Sequence, residues 1–325
     1  MRTTPGTGRR SAARWIAAAA AAGVLLSGCG SAGPYPDGTV ELMIPWSAGG
    51  GSDLSARLFV SELEEPLEAT ISPVNEPGAN GAIGWGSLAQ ADNDGYDLGL
   101  LTYDVLSNEI LDPTSPTLED FDILAQYEQQ ELYFYVPADS PYQTAADLEG
   151  STLTVGTSGM GGIDHQAPAA LARELGVDWE YVPFDGQADG LTNLLGGNID
   201  AFVFTPTVAA QYVEDGTLRI VGTFADERTE EYPEVETFVE QGYEVPPIAS
   251  FRGIAAPAGL DEETRATLVE AIETTVENEE YLAAAEEAGN TPRYRSGEEF
   301  EAYMNELRPT IAELLQEMGL AQAAG

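Results

Sequence analysis

The sequence predicts an α/β protein of two lobes, each offering a Gly-rich helix N-terminus, and three observations carry that reading. Apolar periods of two and 3.6 residues alternate along most of the chain beyond residue 37, as strands and helices taken in turn require. At 325 residues the chain is too long for one ordinary core and comfortable for two α/β domains. A Gly-rich turn also recurs. Shifted by 111 residues, Ser47, Gly50, Gly51 and Asp53 fall on Ser158, Gly161, Gly162 and Asp164, each set following an apolar strand and opening a helix.

Residues 1–28 read as an export signal. Arg2, Arg9, Arg10 and Arg14 form a basic start, and Trp15 to Leu26 an apolar run of twelve residues, too short to span a bilayer as a helix. Leu26-Ser27-Gly28-Cys29 is similar to the bacterial lipobox, in which the cysteine is acylated and becomes the first residue. Lipidation is therefore expected at Cys29, with 29–37 as a tether and the membrane reached only through the lipid. The route, general or twin-arginine, stays open. Cys29 is the sole cysteine, so no disulfide can form within the mature chain.

Strand-like runs follow at Val40–Ile44, Ile71–Val74, Leu98–Leu101, Leu132–Val136, Thr152–Val155, Trp179–Val182, Ala201–Phe204, Ile220–Thr223 and Gly253–Ala255. Helix-like runs lie at Asp53–Leu63, Ile83–Ala91, Gln166–Leu175, Ala188–Leu195, Thr207–Glu214, Glu262–Asn278 and Gly297–Met318. No low-complexity tract and no short solenoid period interrupts them.

Charge limits the partners. The formal charge is −42, and loss of the four signal arginines, with no acid, takes it to −46. All thirteen basic residues are arginine. Such a chain repels nucleic acid and anionic membrane surfaces; a solvated acidic surface and adaptation to high salt both fit. Long-range fields would not steer an anion in, so local donors must hold one.

Catalytic readings fail on residue type. Gly156-Thr157-Ser158-Gly159-Met160 misses the nucleophile-elbow pattern at Met160, and the one histidine, His165, lies seven residues after Ser158, too near in sequence for the usual serine–base pairing. There is no lysine for a phosphate loop and no dinucleotide spacing. Zinc or iron would need histidine and cysteine ligands that are missing, and no EF-hand spacing is present for calcium. No enzyme activity, cofactor or metal is expected.

Binding remains. A Gly-rich strand-to-helix turn aims backbone N–H groups and the positive end of a helix dipole at one point. Ser47, Gly49, Gly50 and Gly51 are the candidate donors of the first turn, and Ser158, Gly159, Gly161 and Gly162 those of the second. Asn75 to Gly84 (with Asn80), Thr102-Tyr103, Phe184-Asp185-Gly186 and Thr205-Pro206 end other strands, where open α/β sheets bind ligands. Asp53 and Asp164 read first as helix caps, with Asp53 able to meet a ligand amino or hydroxyl group. Trp46 and Tyr103 suit a pocket wall or a core, and His165 a first-turn hydrogen bond or a ligand contact. Arg252 suits either a distal ligand carboxylate or an acid across the hinge.

Those same residues carry a family resemblance. Pro45-Trp46-Ser47-Ala48-Gly49-Gly50-Gly51-Ser52-Asp53 resembles the Pro-aromatic-x-x-Gly-Gly-x-x-Asp signature of the tripartite tricarboxylate transporter receptors, or Bug solute-binding family. Asn75 to Gly84, Asp94-Gly95-Tyr96-Asp97-Leu98, Gly156 to His165, Val182 to Gly186, Leu194 to Asp200 and Arg252 to Gly259 resemble its later segments in order. Gly162 departs from the usual Ser/Thr of the second loop, and Asp185 stands where Lys is common. The resemblance implies a two-lobe type II periplasmic-binding-protein fold, with lobe 1 from 36–136 plus 250–325 and lobe 2 from 137–249. It implies a monomer on the extracytoplasmic face of the membrane that closes on a small organic carboxylate and passes it to a permease of one large and one small subunit. A receptor for amino or aromatic acids serving another permease or a sensor is the second expectation, and a secreted enzyme the third.

Overall fold

The computed structural model describes residues 35–321; the export signal, Cys29 and the tether up to residue 34 lie outside them. The chain runs through β1 (Val40–Ile44), α1 (Gly51–Leu67), β2 (Ile71–Asn75), α2 (Ala82–Leu88), β3 (Asp97–Thr102), α3 (Asp104–Leu111) and β4 (Phe121–Glu131). Next come β5 (Tyr133–Pro137), β6 (Thr154–Thr157), α4 (Ile163–Leu175), β7 (Glu180–Pro183), α5 (Gln187–Leu195), β8 (Ala201–Phe204), α6 (Pro206–Glu214) and β9 (Leu218–Thr223). The chain returns through β10 (Ala249–Pro257), α7 (Glu262–Val276), α8 (Glu279–Glu287), β11 (Pro292–Ser296) and α9 (Gly297–Glu317). Among the described residues no helix is long and apolar enough to cross a membrane.

Two sheets organise a two-lobe α/β fold, one ordered β11-β4-β10-β3-β1-β2 and the other β7-β6-β8-β5-β9. The recurrence of the Gly-rich turn has a topological counterpart. β1 pairs in parallel with β2 on one side and β3 on the other, and β6 does the same with β7 and β8. Each Gly-rich turn therefore leaves the central strand of a parallel triplet at the point where the winding reverses, which is where such sheets open a crevice.

Strands inside these sheets are apolar because both faces are covered. Val40, Leu42 and Ile44 of β1 join a cluster with Phe59, Val60 and Leu63 of α1 and with residues of α7 and α8, while Met43 faces the opposite cluster. Phe59 stacks on Tyr127 with ring centroids 4.1 Å apart; burying such a side chain stabilises by about 1.5–3 kcal/mol. On the far face of the second sheet Phe202 and Phe204 pack in parallel at 4.2 Å.

The structure departs from the sequence reading at four elements and one boundary. β4, β11 and α3 were not expected, and the expected helix over 262–278 is followed by a separate α8. The strand expected at Leu132–Val136 is β5, which lies in the second sheet, so the chain crosses at Leu132 rather than after residue 136. β4 escapes notice because it carries Gln126, Glu128 and Gln130 between its apolar residues, yet all three are buried. Their polar groups are satisfied by partners remote in sequence.

Candidate ligand-binding site

The first Gly-rich turn folds back on its own helix. Gly49 takes a φ of +84°, open to glycine at no steric penalty, and its N–H donates to Asp53 Oδ2 at 2.8 Å. Asp53 also accepts from Arg57 Nε and Asn75 Nδ2, each at 2.8 Å on Oδ1. It fastens the loop and does not face the cavity described next. No side chain caps α1. Among the described residues, the N–H groups of Gly50, Gly51 and Ser52 find no partner in the chain, and these three residues border a cavity of about 30 Å³.

Two further helices start at the same place. Neither α5 nor α6 has a side-chain cap. The N–H groups of Gln187 and Ala188, at the start of α5, lie 3.9 Å from where a Gly50 Cβ would sit. Thr205 Oγ1, at the start of α6, and Gln187 Oε1 lie 3.0 and 3.1 Å from the corresponding point on Gly51. Each helix end brings roughly half a positive charge. Three such ends brought together repel one another unless an anion sits among them.

Arg252 supplies a full charge. It lies opposite Thr102 in the β10–β3 ladder, 1% exposed. Nη1 pairs with Glu128 of β4 and donates to Gln130 Oε1 at 2.7 Å. The other Glu128 oxygen accepts from the Ser55 hydroxyl, so the carboxylate is fully committed; burial pushes it upward and Arg252 opposes that push. Arg252 Nε is buried without a partner, and Nη2 reaches 3.1 Å from the Gly51 Cβ position. One nitrogen pairs with an acid of the adjacent strand in the same sheet, while Arg252 also lines the cavity.

The second Gly-rich turn behaves differently from expectation, because its donors are taken by the chain itself. Ser158 N–H and Oγ both donate to Asp164, Gly161 N–H donates to His165 Nδ1 at 2.8 Å, and Gly162 N–H to Gly159 O at 3.0 Å. Ile163 N–H, at the head of α4, donates to Asp104 Oδ1 at 2.8 Å. A carboxylate from one lobe thus occupies the helix N-terminus of the other. Gly159 and Gly162 abut Asn80, whose Oδ1 lies 2.6 and 2.7 Å from their Cβ positions. Only Ser158 of the four second-turn candidates lines the cavity.

Trp46, Ser47, Gly50, Gly51, Ser158 and Arg252 therefore meet at the cavity, and Thr205 stands beside it with a buried hydroxyl that has no partner among the described residues. Trp46 also packs edge-on against Trp85 at 6.5 Å, and the Ser47 hydroxyl reaches across to Asp185 O at 2.8 Å. Gly49, Asp53, Asn80, Gly159, Gly161 and Gly162 shape or join the loops without lining the cavity. Tyr103 is buried, its hydroxyl donating across the lobes to Gln166 Oε1 at 2.9 Å. Phe184 packs on the aromatic cluster of the second sheet. His165 turns away, against the Tyr181 ring at 4.3 Å, in a separate hollow of about 400 Å³.

Residues missed by the sequence reading are Ser52, Asp104, Ile163, Gln187 and Ser250, which complete the wall with Thr102 and Asp164. Asp104 and Gln187 stand one position beyond Thr102-Tyr103 and Phe184-Asp185-Gly186. The signal was there: both loops end strands, and the first residue of the next helix is the one aimed inward.

His165 makes stability acid-sensitive. Burial lowers its pKa from 6.5 to about 4, so between those values the unfolded chain binds the extra proton and stability falls as pH falls. The full effect is about 3 kcal/mol. Urea melts at pH 7, 5 and 4 should show His165→Gln losing less stability than the parent across that window. Equal slopes would mean that His165 takes up its proton equally in the folded and unfolded chains.

Comparison with known proteins agrees with this architecture. The family model described as "Tripartite tricarboxylate transporter family receptor" matches residues 56–320. A Cupriavidus necator protein, described as a UPF0065 protein in the gbd 5′ region, is 26% identical over 296 residues, covering 89% of this chain and 90% of its own. A TctC solute-binding protein from Polaromonas is 29% identical with a TM-score of 0.66, the match covering 87% of this chain and 99% of that one. Malate-bound MatC of Rhodopseudomonas palustris shares the fold at a TM-score of 0.80 and 24% identity, covering 86% and 100% of the two chains.

Proposed function

Since the chain belongs to the tripartite tricarboxylate transporter family of receptors, which are solute-binding proteins and not enzymes, we propose that it captures a small organic carboxylate where α1, α5 and α6 meet. The observation that carries this reading is the convergence of the uncapped N-termini of α1 and α5, with the Thr205 hydroxyl that precedes α6, near the buried Arg252 head. On a chain of formal charge −42, no bulk field draws an anion there. Backbone dipoles and one guanidinium do the holding, each charge-assisted bond contributing about 1.5–3 kcal/mol. That a relative of the same fold has been solved with malate supports the carboxylate class.

The first lobe in this reading comprises residues 36–132 and the chain from 249 onward, the second those between. They rotate about the two crossings, closing over the ligand. Export, acylation of Cys29 and a position on the extracytoplasmic face complete the reading. From there the monomeric receptor hands its ligand to a permease of large and small subunits.

A thermal-shift screen tests the central claim, with mono-, di- and tricarboxylates set against phosphate and neutral sugars. At a hundredfold its Kd the true ligand stabilises by about 2.7 kcal/mol, and at least one organic acid is expected to do so. Stabilisation by a sugar or phosphate with no acid active would overturn it.

A further inference from the structure

Among the acidic side chains around the cavity, one has an oxygen left over. Asp164 is saturated: the Thr157 hydroxyl and the Ser158 N–H and hydroxyl donate to its two oxygens. Glu128 is held by Arg252 and Ser55, and Asp53 by Gly49, Arg57 and Asn75. Asp104 is 4% exposed and lines the cavity. Its Oδ1 accepts from Ile163 N–H at 2.8 Å. Among the described residues, the Thr102 hydroxyl reaches Oδ2 at 3.4 Å, beyond a good hydrogen bond, and the Asn80 side chain lies alongside, opposing the upward push on the Asp104 pKa.

The fold places this acceptor and the cation on the wall of the same cavity. Thr102 and Arg252 are direct partners across β3 and β10, and Asp104 follows two residues after Thr102. The small cavity is therefore bounded by donors on the side of α1, α5 and Arg252, and by an under-used carboxylate on the side of α3. A plain carboxylate satisfies the donors and leaves Asp104 facing apolar carbon, or meets it as a like charge. A buried acceptor without a donor carries its full desolvation penalty.

We propose that Asp104 is a specificity-determining residue that accepts a hydrogen bond from a hydroxyl or ammonium group of the ligand, so that the ligand is a hydroxy- or amino-substituted carboxylate. The inference rests on the proposed function above. The electrostatics agree with it: burial, then the nearby Asp164, raise the Asp104 pKa to about 7, and a donor placed against it relieves both effects.

Calorimetric titration of matched acids tests it: succinate, malate and aspartate; glutarate, 2-hydroxyglutarate and glutamate; propionate, lactate and alanine. A substituted member should bind at least about tenfold tighter than its plain parent, as expected where a site is built to pair a ligand donor. Asp104→Asn keeps an acceptor for Ile163 N–H and should erase that preference; Asp104→Ser serves as the second variant if the first does not fold. Whether the hydroxy or the amino acid wins identifies the donor. A plain acid binding as tightly as its substituted partners, or a preference that survives both variants, overturns this inference while the carboxylate reading stands. Absence of binding by every acid overturns both.

Discussion

Replacing Gly51 with alanine should abolish ligand capture while leaving the fold intact. Gly51 is the first residue of α1, and no left-handed backbone holds glycine there. Alanine is the better helix former by about 1 kcal/mol, so the fold alone gives no reason for glycine. The added methyl would lie 3.0 Å from Thr205 Oγ1 and 3.1 Å from both Arg252 Nη2 and Gln187 Oε1. It fills the point where the two lobes and the guanidinium meet, masking two or more N–H donors. Losing two charge-assisted bonds weakens binding by about a hundredfold or more. Calorimetry on Gly51→Ala should show that loss, with cooperative unfolding retained and a melting temperature close to the parent's. Parental affinity would remove α1 from the site. Gly50 is a softer test, since its Cβ position keeps 3.6 Å or more from its neighbours.

Arg252→Met has the largest expected effect on stability. The change leaves Glu128, 0% exposed, buried without its cation, and breaking such a pair costs about 3–5 kcal/mol. Denaturant unfolding should show a loss of that size. Adding Glu128→Gln removes the stranded charge and should restore most of the stability, yet binding should stay lost in both variants. The pH dependence separates causes. Without Arg252 the buried Glu128 takes up protons more readily folded than unfolded, so the single variant should gain stability as pH falls, and the double variant should not. Recovery of binding in the double variant would show that Arg252 serves only the pair.

Local pattern made much of this molecule legible. The Gly-rich turns, the parallel triplets around them and most strands follow from apolar periodicity and turn chemistry. Long-range pairing hid the rest. β4 reads as too polar for a core strand because Gln126, Glu128 and Gln130 are satisfied by Arg295, Arg252 and Thr207, residues that lie 77 to 169 positions away. The second Gly-rich turn looks like a copy of the first, and nothing local says that Asp104, 59 residues earlier, already occupies its helix. Similar sequence gave similar backbone; which end stays open to a ligand was decided by a side chain on the opposite lobe.

The short crossing at Leu132 has a mechanical consequence. β4 ends at Glu131 and β5 begins at Tyr133, so one residue separates two sheets, and Glu128, which steadies the guanidinium, stands four positions upstream on the same strand. Pivot and sensor share a single stiff rod. Under the proposed function, a ligand seated against Arg252 would pass torque into the second lobe through that rod, with little slack to dissipate it. On that reading, lengthening the joint by a few glycines would uncouple occupancy from closure, giving a protein that grips its cargo without drawing its lobes together.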